Sequence, residues 1–323
     1  MDRSNQSKIA THTSPPARLG APMAVSEHDP SSLVLARTSY VDSIEIQQNR
    51  FFRTDFLKYA KAECGSTFGP EMFFTYGGRT RQRLWLHQPT RHALDNLRDK
   101  DCSIFQVQVA LDLLCASESN ARTLQKHIEA GLIQSVHPYE PMTHVETTTY
   151  LAFSRPRGTG TRIALYSDRT SKVHAEFFCC HIEFRIQGAA ALRDAGLSSA
   201  DEIIRLNHRE FWAQNIRLVH LPDADELGER YVRAYMKNIK RRSAKFPYGG
   251  RTAAVPRYGH LLMRTARSQS GDTTANDLLH FLRERRPLGL GSVSNLFRPA
   301  PADWLLPAPH SGLWRRMVIG KIG

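Results

Sequence analysis

One tyrosine closes a predicted strand and is followed by two cationic side chains. Tyr166 ends the apolar run over 162–166, and Arg169 and Lys172 come three and six residues later. A phenol has a pKa of about 10, so it becomes a nucleophile only where a cation or a base favours the phenolate. Placed opposite a DNA phosphate, it would form a 5′-phosphotyrosine and leave a free 3′-hydroxyl. We therefore take Tyr166, Arg169 and Lys172 as candidate catalytic residues.

Two carboxylates and a histidine on predicted strands suggest a divalent cation beside this tyrosine. Asp112 and Glu183 offer the hard oxygen ligands that magnesium or manganese prefers. His181 shares a strand face with Glu183, because residues i and i+2 point the same way. The alternatives are that the carboxylates form salt bridges, that the histidine is structural and that Tyr166 is a packing residue.

Alternating and helical hydrophobic patterns predict the elements that hold these residues. Alternation predicts strands over 40–46, 104–113, 145–153, 162–166 and 180–186, and a hairpin around Gly77-Gly78. Helical spacing predicts helices over 51–64, 117–131 and 189–195, the second with Ser117 as its N-cap. This order of elements predicts an α+β fold with a palm-like antiparallel sheet and helices on one face.

Composition divides the chain into four parts. Residues 1–34 are rich in Ser and Pro without hydrophobic period, and we expect a disordered tail. The α+β domain is predicted over 35–220, a basic helical region over 221–286 and an irregular Pro- and Gly-rich tail over 287–323.

The positive charge is concentrated in one region and predicts a polyanionic partner. The chain carries 44 Lys and Arg against 31 Asp and Glu, a net charge of +13, and residues 231–290 account for +10 of it. Charge of this density favours contact with nucleic acid phosphates over an ordinary solvated helix face. The predicted DNA-binding residues are Arg155, Arg157, Arg162, Lys237, Lys240, Arg241, Arg242 and Lys245.

Several classes of protein fit poorly. The chain has 5 cysteines, an odd number without CxxC spacing, which disfavours a disulfide scaffold and a zinc knuckle. No apolar stretch approaches the roughly 20 residues of a membrane helix, and the first thirty residues lack the apolar core of a secretory signal. We therefore expect a soluble, cytoplasmic protein without a membrane partner.

Three short motifs resemble one family. The runs 150–155, 162–166 and 181–186 resemble rolling-circle plasmid and phage replication initiators of the transforming (Rep_trans-like) type. In that family a strand ending in Tyr-Asn-Lys precedes a strand reading Arg-x-Glu-hydrophobic, and an earlier strand carries an Asp. Residues 109–112 and 41–44 are similar to the family's earlier strands, so the resemblance spans about 38–220. Asp168 stands where the family has its lysine, and an acid there disfavours the phenolate.

The resemblance implies a DNA replication initiator that nicks one strand at an origin in double-stranded DNA. Tyr166 would be the nucleophile, and Asp112 and Glu183 would lie near a magnesium or manganese ion. A host helicase and a second copy of the chain would be further partners. Two alternatives stay open: a catalytically inactive DNA-binding regulator with the same fold, and an RNA-binding protein whose sheet stacks unpaired bases.

Overall fold

A computed structural model provides the coordinates of the chain. It describes the residue ranges 29–75, 77–98, 101–134, 142–152, 160–220 and 298–308. The predicted disordered tail therefore lies mostly outside the described residues, and the predicted basic helical region lies wholly outside them. None of the helices that the structure describes is long and apolar enough to span a membrane.

A large antiparallel sheet organises the described part of the chain. Its strands are β1 Ala36–Gln48, β2 Ser66–Phe74, β3 Thr80–His87, β4 Ser103–Cys115, β6 Met142–Val145, β7 Thr148–Ala152, β8 Gly160–Tyr166 and β9 Phe178–Gln187. They are ordered β2-β3-β1-β4-β9-β8-β7-β6. A smaller sheet consists of β5 Leu132–Gln134, β10 Ile216–His220 and β11 Arg298–Pro299, in the order β11-β10-β5. The long central strands β1, β4 and β9 are thus far apart in sequence but adjacent in space.

Within the described residue ranges, six α-helices connect the strands: α1 Thr54–Glu63, α2 Arg91–Leu97, α3 Glu118–Gly131, α4 Ala189–Asp194, α5 Ala200–Ile204 and α6 His208–Asn215. Each contributes a buried apolar side chain to one hydrophobic cluster with one face of the large sheet. Val109 and Leu111 of β4 and Ile182 and Phe184 of β9 lie in that cluster. The predicted α+β class, with an antiparallel sheet and helices on one face, is confirmed.

The opposite face of the large sheet carries polar and aromatic side chains, and we call it the open face. On β9 it presents His181, Glu183 and Arg185, because these residues alternate with the core-facing ones. The segment 167–177, between β8 and β9, contacts this face through Ser171 and Lys172. Two chemically different faces explain the clear alternation of the central strands in the sequence.

Local signals account well for the ends of several elements. The Ser117 side chain accepts a hydrogen bond from the Asn120 backbone at 3.2 Å, so the predicted N-cap of α3 is confirmed. The hairpin predicted around Gly77-Gly78 joins β2 to β3. Gly78 has a φ of 70°, a conformation in which a side chain would be strained.

The strand predicted over 145–153 is confirmed as β7 over Thr148–Ala152, but its predicted start is wrong, because Val145 belongs to β6 and a turn separates the two strands. β6 ends at Val145, Glu146 turns the chain with a φ of 54°, and β7 begins at Thr148. The sequence does not indicate this turn, because residues 145–149 contain no Gly, Asn or Pro and the threonines favour a strand.

The structure also describes residues 298–308, which fall in the stretch predicted to be an irregular tail. Arg298–Pro299 pairs with β10, and the turn Asp303–Leu305 follows it. Leu305 is buried in the hydrophobic cluster, and Arg37 donates a hydrogen bond to the Trp304 carbonyl. This segment therefore belongs to the packed body of the protein.

Candidate functional site

The strand register places the predicted site residues in adjacent rows of the open face. Asp112 of β4 lies opposite His181 of β9, which lies opposite Tyr166 of β8. One row along, Glu183 lies between Ala110 and Ala164. Residues directly opposite one another in an antiparallel sheet have Cβ atoms about 5 Å apart. Residues distant in sequence thus meet because their strands are neighbours.

Asp112 holds His181 in place. His181 Nδ1 lies 2.5 Å from Asp112 Oδ1, and both side chains are buried. Ser171 donates to Asp112 Oδ2 at 2.5 Å and Tyr40 donates to it at 3.4 Å. Both oxygens of the carboxylate are therefore engaged within the protein. Asp112 fixes the orientation of the imidazole and leaves its other nitrogen, Nε2, facing away from it.

The charges of the site favour a protonated His181 beside an ionised Glu183. Burial alone lowers the pKa of His181, but Asp112, together with Cys179 and Glu183, holds the pKa well above its ordinary value. Burial likewise raises the pKa of Glu183, but His181, at 3.7 Å, and the Arg185 guanidinium, at 2.5 Å, lower it to about 2. A chain of alternating charges thus runs from Asp112 to Arg185.

The Tyr166 ring packs on this chain of charges. Its centroid lies 4.5 Å from that of the His181 ring, and the Arg169 guanidinium lies 5.6 Å from it. Burial raises the pKa of the Tyr166 phenol, and Glu183 and Asp42 add to that effect, whereas His181 and Lys172 oppose it. The phenol is therefore protonated at neutral pH, and a further positive charge nearby would favour its ionisation.

A second acid, Asp42, lies under Lys172. It occupies a β-bulge, where the register of β1 against β4 shifts between Val41 and Ser43. Lys172 Nζ lies 2.7 Å from Asp42 Oδ2, and the Asp42 side chain is only 4% exposed. Burial lowers the pKa of the Lys172 ammonium, but Asp42, together with Tyr166 and Glu183, raises the pKa above its ordinary value. Lys172 therefore keeps its proton and covers the buried acids.

Two donor sets among the described residues share His181, and either would hold a cation only once the imidazole has lost the proton on the ligating nitrogen. His181 Nε2 is a buried nitrogen without a hydrogen-bond partner in the described part of the chain, and it faces the ionised Glu183. In the second set, Asp112, Cys179 and His181 place one ligand atom each within 4.8 Å of one another. Burial also raises the pKa of the Cys179 thiol, which keeps it protonated.

The structure brings together six of the predicted site residues: Tyr166, Asp112, His181, Glu183, Lys172 and Arg169. Arg162 lies one row from Glu183, opposite Arg185, and is exposed with its guanidinium 5.8 Å from the Tyr150 ring. The other predicted DNA-binding residues lie outside the described residues: Arg155, Arg157, Lys237, Lys240, Arg241, Arg242 and Lys245.

Asp168, two residues after Tyr166, is held by the turn between β6 and β7. Thr147 donates a hydrogen bond to Asp168 Oδ2 at 2.8 Å, and Arg169 Nε lies 3.8 Å from Asp168 Oδ1. Arg169 is thus close both to the Asp168 carboxylate and to the Tyr166 ring.

Sequence reasoning missed four residues of the site: Asp42, Ser171, Arg185 and Cys179. One signal pointed to Asp42, because the buried positions Val41 and Ile44 are three residues apart where strict alternation would require two. Such an odd step indicates a bulge, and bulges re-aim side chains beside functional sites. Ser171 gave no signal, since its role depends on how the segment 167–177 folds back onto the sheet.

Comparisons with known proteins give one similarity in structure and none in sequence. No protein-family model matches the chain, and no curated protein matches it. Among solved structures, the rolling circle replication initiator protein from Geobacillus stearothermophilus aligns with a TM-score of 0.36 and 9% identity. The alignment covers 79% of this chain and 98% of that one.

Proposed function

We propose that the chain is a replication initiator that binds origin DNA and cleaves one strand through Tyr166. The observation that carries the proposal is the position of the Tyr166 ring, 4.5 Å from the His181 ring and beside Lys172 and Arg169. A tyrosine surrounded by three cations on an open sheet face matches what a phosphotyrosine reaction needs. The motifs that resemble rolling-circle initiators run through the same residues.

In the proposed reaction the Tyr166 oxygen attacks a backbone phosphorus. The new bond joins the tyrosine oxygen to phosphorus, the bond from phosphorus to the 3′-oxygen breaks, and the 5′-phosphate stays on Tyr166. His181 and Lys172 favour the phenolate. The proton of the Tyr166 phenol leaves to solvent at the partly exposed side of the ring. Lys172, which keeps its proton at neutral pH, donates one to the departing 3′-oxygen. Arg169, with a side chain that is 72% exposed, contacts the phosphate oxygens.

The same residues would hold a divalent cation of the magnesium or manganese class. Glu183 Oε2, whose carboxylate is ionised, would be the first donor. His181 Nε2, which has no hydrogen-bond partner in the described residues, would be the second, with the cation taking the place of the Nε2 proton while Nδ1 stays paired with Asp112. When bound, such a cation supplies positive charge to the phosphate in the transition state. Asp112 then acts as a positioning residue that orients His181.

The test is cleavage of a supercoiled plasmid that carries the coding region of this chain and its flanking DNA. With magnesium or manganese, wild type should give nicked plasmid and a covalent protein–DNA complex that survives denaturation. Tyr166→Phe should abolish both products. Tyr150→Phe is the matched control, because Tyr150 lies two strands from His181 on the same face and should leave cleavage unchanged. Cleavage by Tyr166→Phe would overturn the assignment of the nucleophile.

A second candidate function is a DNA-binding regulator without nicking activity. The observation that favours it is the raised pKa of Tyr166, since burial, Glu183 and Asp42 together keep the phenol neutral. Such a protein would bind the same DNA with equal affinity in the wild type and in Tyr166→Phe, and neither would cleave it with either metal.

A further inference from the structure

One wing of the open face carries a row of aromatic and arginine side chains apart from the Tyr166 site. We call it the β2–β3 wing: Phe68, Phe73, Arg81, Arg83, Trp85 and His87. Register defines its face, because His87 and Trp85 lie opposite Ser43 and Glu45 of β1, whose side chains also lie on the open face. Phe68 of β2 lies directly opposite Trp85 of β3.

The rings of the wing are ordered by one another. The Trp85 and His87 rings stack nearly parallel, with centroids 6.3 Å apart and an interplanar angle of 7°. The Arg83 guanidinium lies 5.9 Å from the Phe73 centroid and is held by an ion pair with Glu71. Phe68 is 57% exposed. The wing therefore presents pre-oriented ring faces, so that a ligand need not order them.

The chemistry of the wing fits unpaired nucleobases. Flat rings interleaved with guanidinium groups stack on bases of any sequence, and arginine adds charge attraction to phosphate. Duplex DNA cannot use these rings, because its base faces are already covered by stacking. The β2–β3 hairpin carries Arg79, Arg81 and Arg83 against Glu71, so its charge complements a polyanion rather than an apolar protein surface.

The wing leads directly to the candidate site. His87 ends β3 opposite Ser43, and the next residue, Gln88, donates its backbone N–H to the Asp42 carbonyl at 2.7 Å. Neighbouring strands are about 4.8 Å apart, so four steps across the sheet, about 19 Å, separate β3 from β8, which carries Tyr166. A strand of nucleic acid that spans the wing and Tyr166 would pass over Lys172, which lies on Asp42 of the intervening strand β1.

We propose that the β2–β3 wing binds a single-stranded nucleic acid and guides the unpaired strand towards Tyr166. Binding to the wing stands on the wing's own residues, whereas the direction of the strand rests on the proposed nicking function. The wing would bind melted DNA in preference to duplex DNA. The predicted basic region would contact phosphates and so would bind both forms alike.

The test measures binding of fluorescent oligo(dT), oligo(rU) and a duplex of equal length by anisotropy, in a Tyr166→Phe background. Phe68→Ala and Trp85→Ala should each weaken binding of the single strand about 10-fold and change duplex binding little. Phe74→Ala is the matched control, since Phe74 is on the same strand, is 78% exposed and has the opposite parity to Phe73. Trp85→Phe keeps a ring and should retain most of the affinity.

The outcomes separate the two proposals. If Phe68→Ala and Trp85→Ala bind single strands as well as Phe74→Ala does, or if neither oligonucleotide binds, the wing proposal fails. Cleavage of the plasmid by wild type is measured independently. If wild type does not nick the plasmid but still binds single strands through the wing, only the proposed nicking function is contradicted. Preference for oligo(dT) or for oligo(rU) assigns the natural strand to DNA or RNA. Thermal unfolding of each variant checks that the hairpin is intact.

Discussion

Asp112 and His181, 69 positions apart in sequence, face each other across β4 and β9 with Oδ1 and Nδ1 separated by 2.5 Å. The contact fixes which imidazole nitrogen faces Glu183 and which charge the ring carries. A carboxylate that pairs with a buried histidine acts mainly by setting the pKa and the orientation of that histidine.

Asp112→Asn should lower the pKa of His181 from its strongly raised value. The substitution removes the negative charge, and burial then favours the neutral imidazole. Under the proposed function, nicking should fall about 10- to 100-fold, the usual effect of losing such a positioning residue. The measurement is an NMR titration of the His181 ring together with the plasmid assay. Asp55→Asn, an exposed carboxylate of α1, is the control.

The same pair should make stability depend on pH above neutrality. Because the folded-state pKa of His181 is raised, its contribution is complete below about pH 6.5 and is lost as pH rises through the folded pKa. The free energy of unfolding should therefore decrease over that range in wild type and stay flatter in Asp112→Asn. Urea titrations at a series of pH values measure it, and parallel curves for the two proteins would contradict the assigned charge.

Lys172→Met should destabilise the fold and disfavour the Tyr166 phenolate. It leaves the Asp42 carboxylate, 4% exposed, without its ion-pair partner. Since the Lys172 side chain is 42% exposed, solvent screens the pair, and we expect a loss of about 1–2 kcal/mol in the free energy of unfolding. Lys172→Arg keeps the charge and should recover most of it. Denaturant unfolding measures the free energy of unfolding. Ultraviolet titration of the tyrosines measures the rise in the pKa of Tyr166.

His208 should make the protein acid-sensitive below pH 6.5. Burial lowers its pKa to about 4, so between about pH 6.5 and pH 4 the unfolded chain binds a proton that the folded chain does not bind. The free energy of unfolding should fall by roughly 3 kcal/mol as pH drops from about 6.5 to about 4. His208→Gln should flatten that decrease. The half-buried His87 and His127, whose pKa values burial also lowers, remain in both proteins, so the difference isolates His208.

Ser39→Ala should cost about 2 kcal/mol of stability, because its hydroxyl joins three buried groups. It donates to the Ala110 carbonyl at 2.9 Å, accepts from Trp212 Nε1 at 2.8 Å and lies 2.7 Å from His208 Nδ1. The variant leaves the indole N–H buried without a partner. Ser103→Ala removes one peripheral bond at 3.2 Å and should change stability by less than about 0.5 kcal/mol. Equal losses in the two variants would contradict the network.

Sequence patterns by themselves determined the strands and helices that carry the candidate site. The core-facing Val107, Val109 and Leu111 alternate with Gln108, Ala110 and Asp112, because one face of β4 packs against helices and the other does not. Ser117 marked the start of α3, and the spacing after Tyr166 marked Arg169 and Lys172 as cations near its ring. These signals are local, since period and capping depend on a few neighbouring residues.

Only the tertiary structure decided which side chains meet. Strand order brought β4 beside β9 and made Asp112 a partner of His181, although its type alone suited a cation ligand. The bulge at Asp42 turned a strand residue towards Lys172, and the fold of the segment 167–177 gave Ser171 its role. Pairing between distant strands depends on the packing of the whole sheet, so no local pattern encodes it.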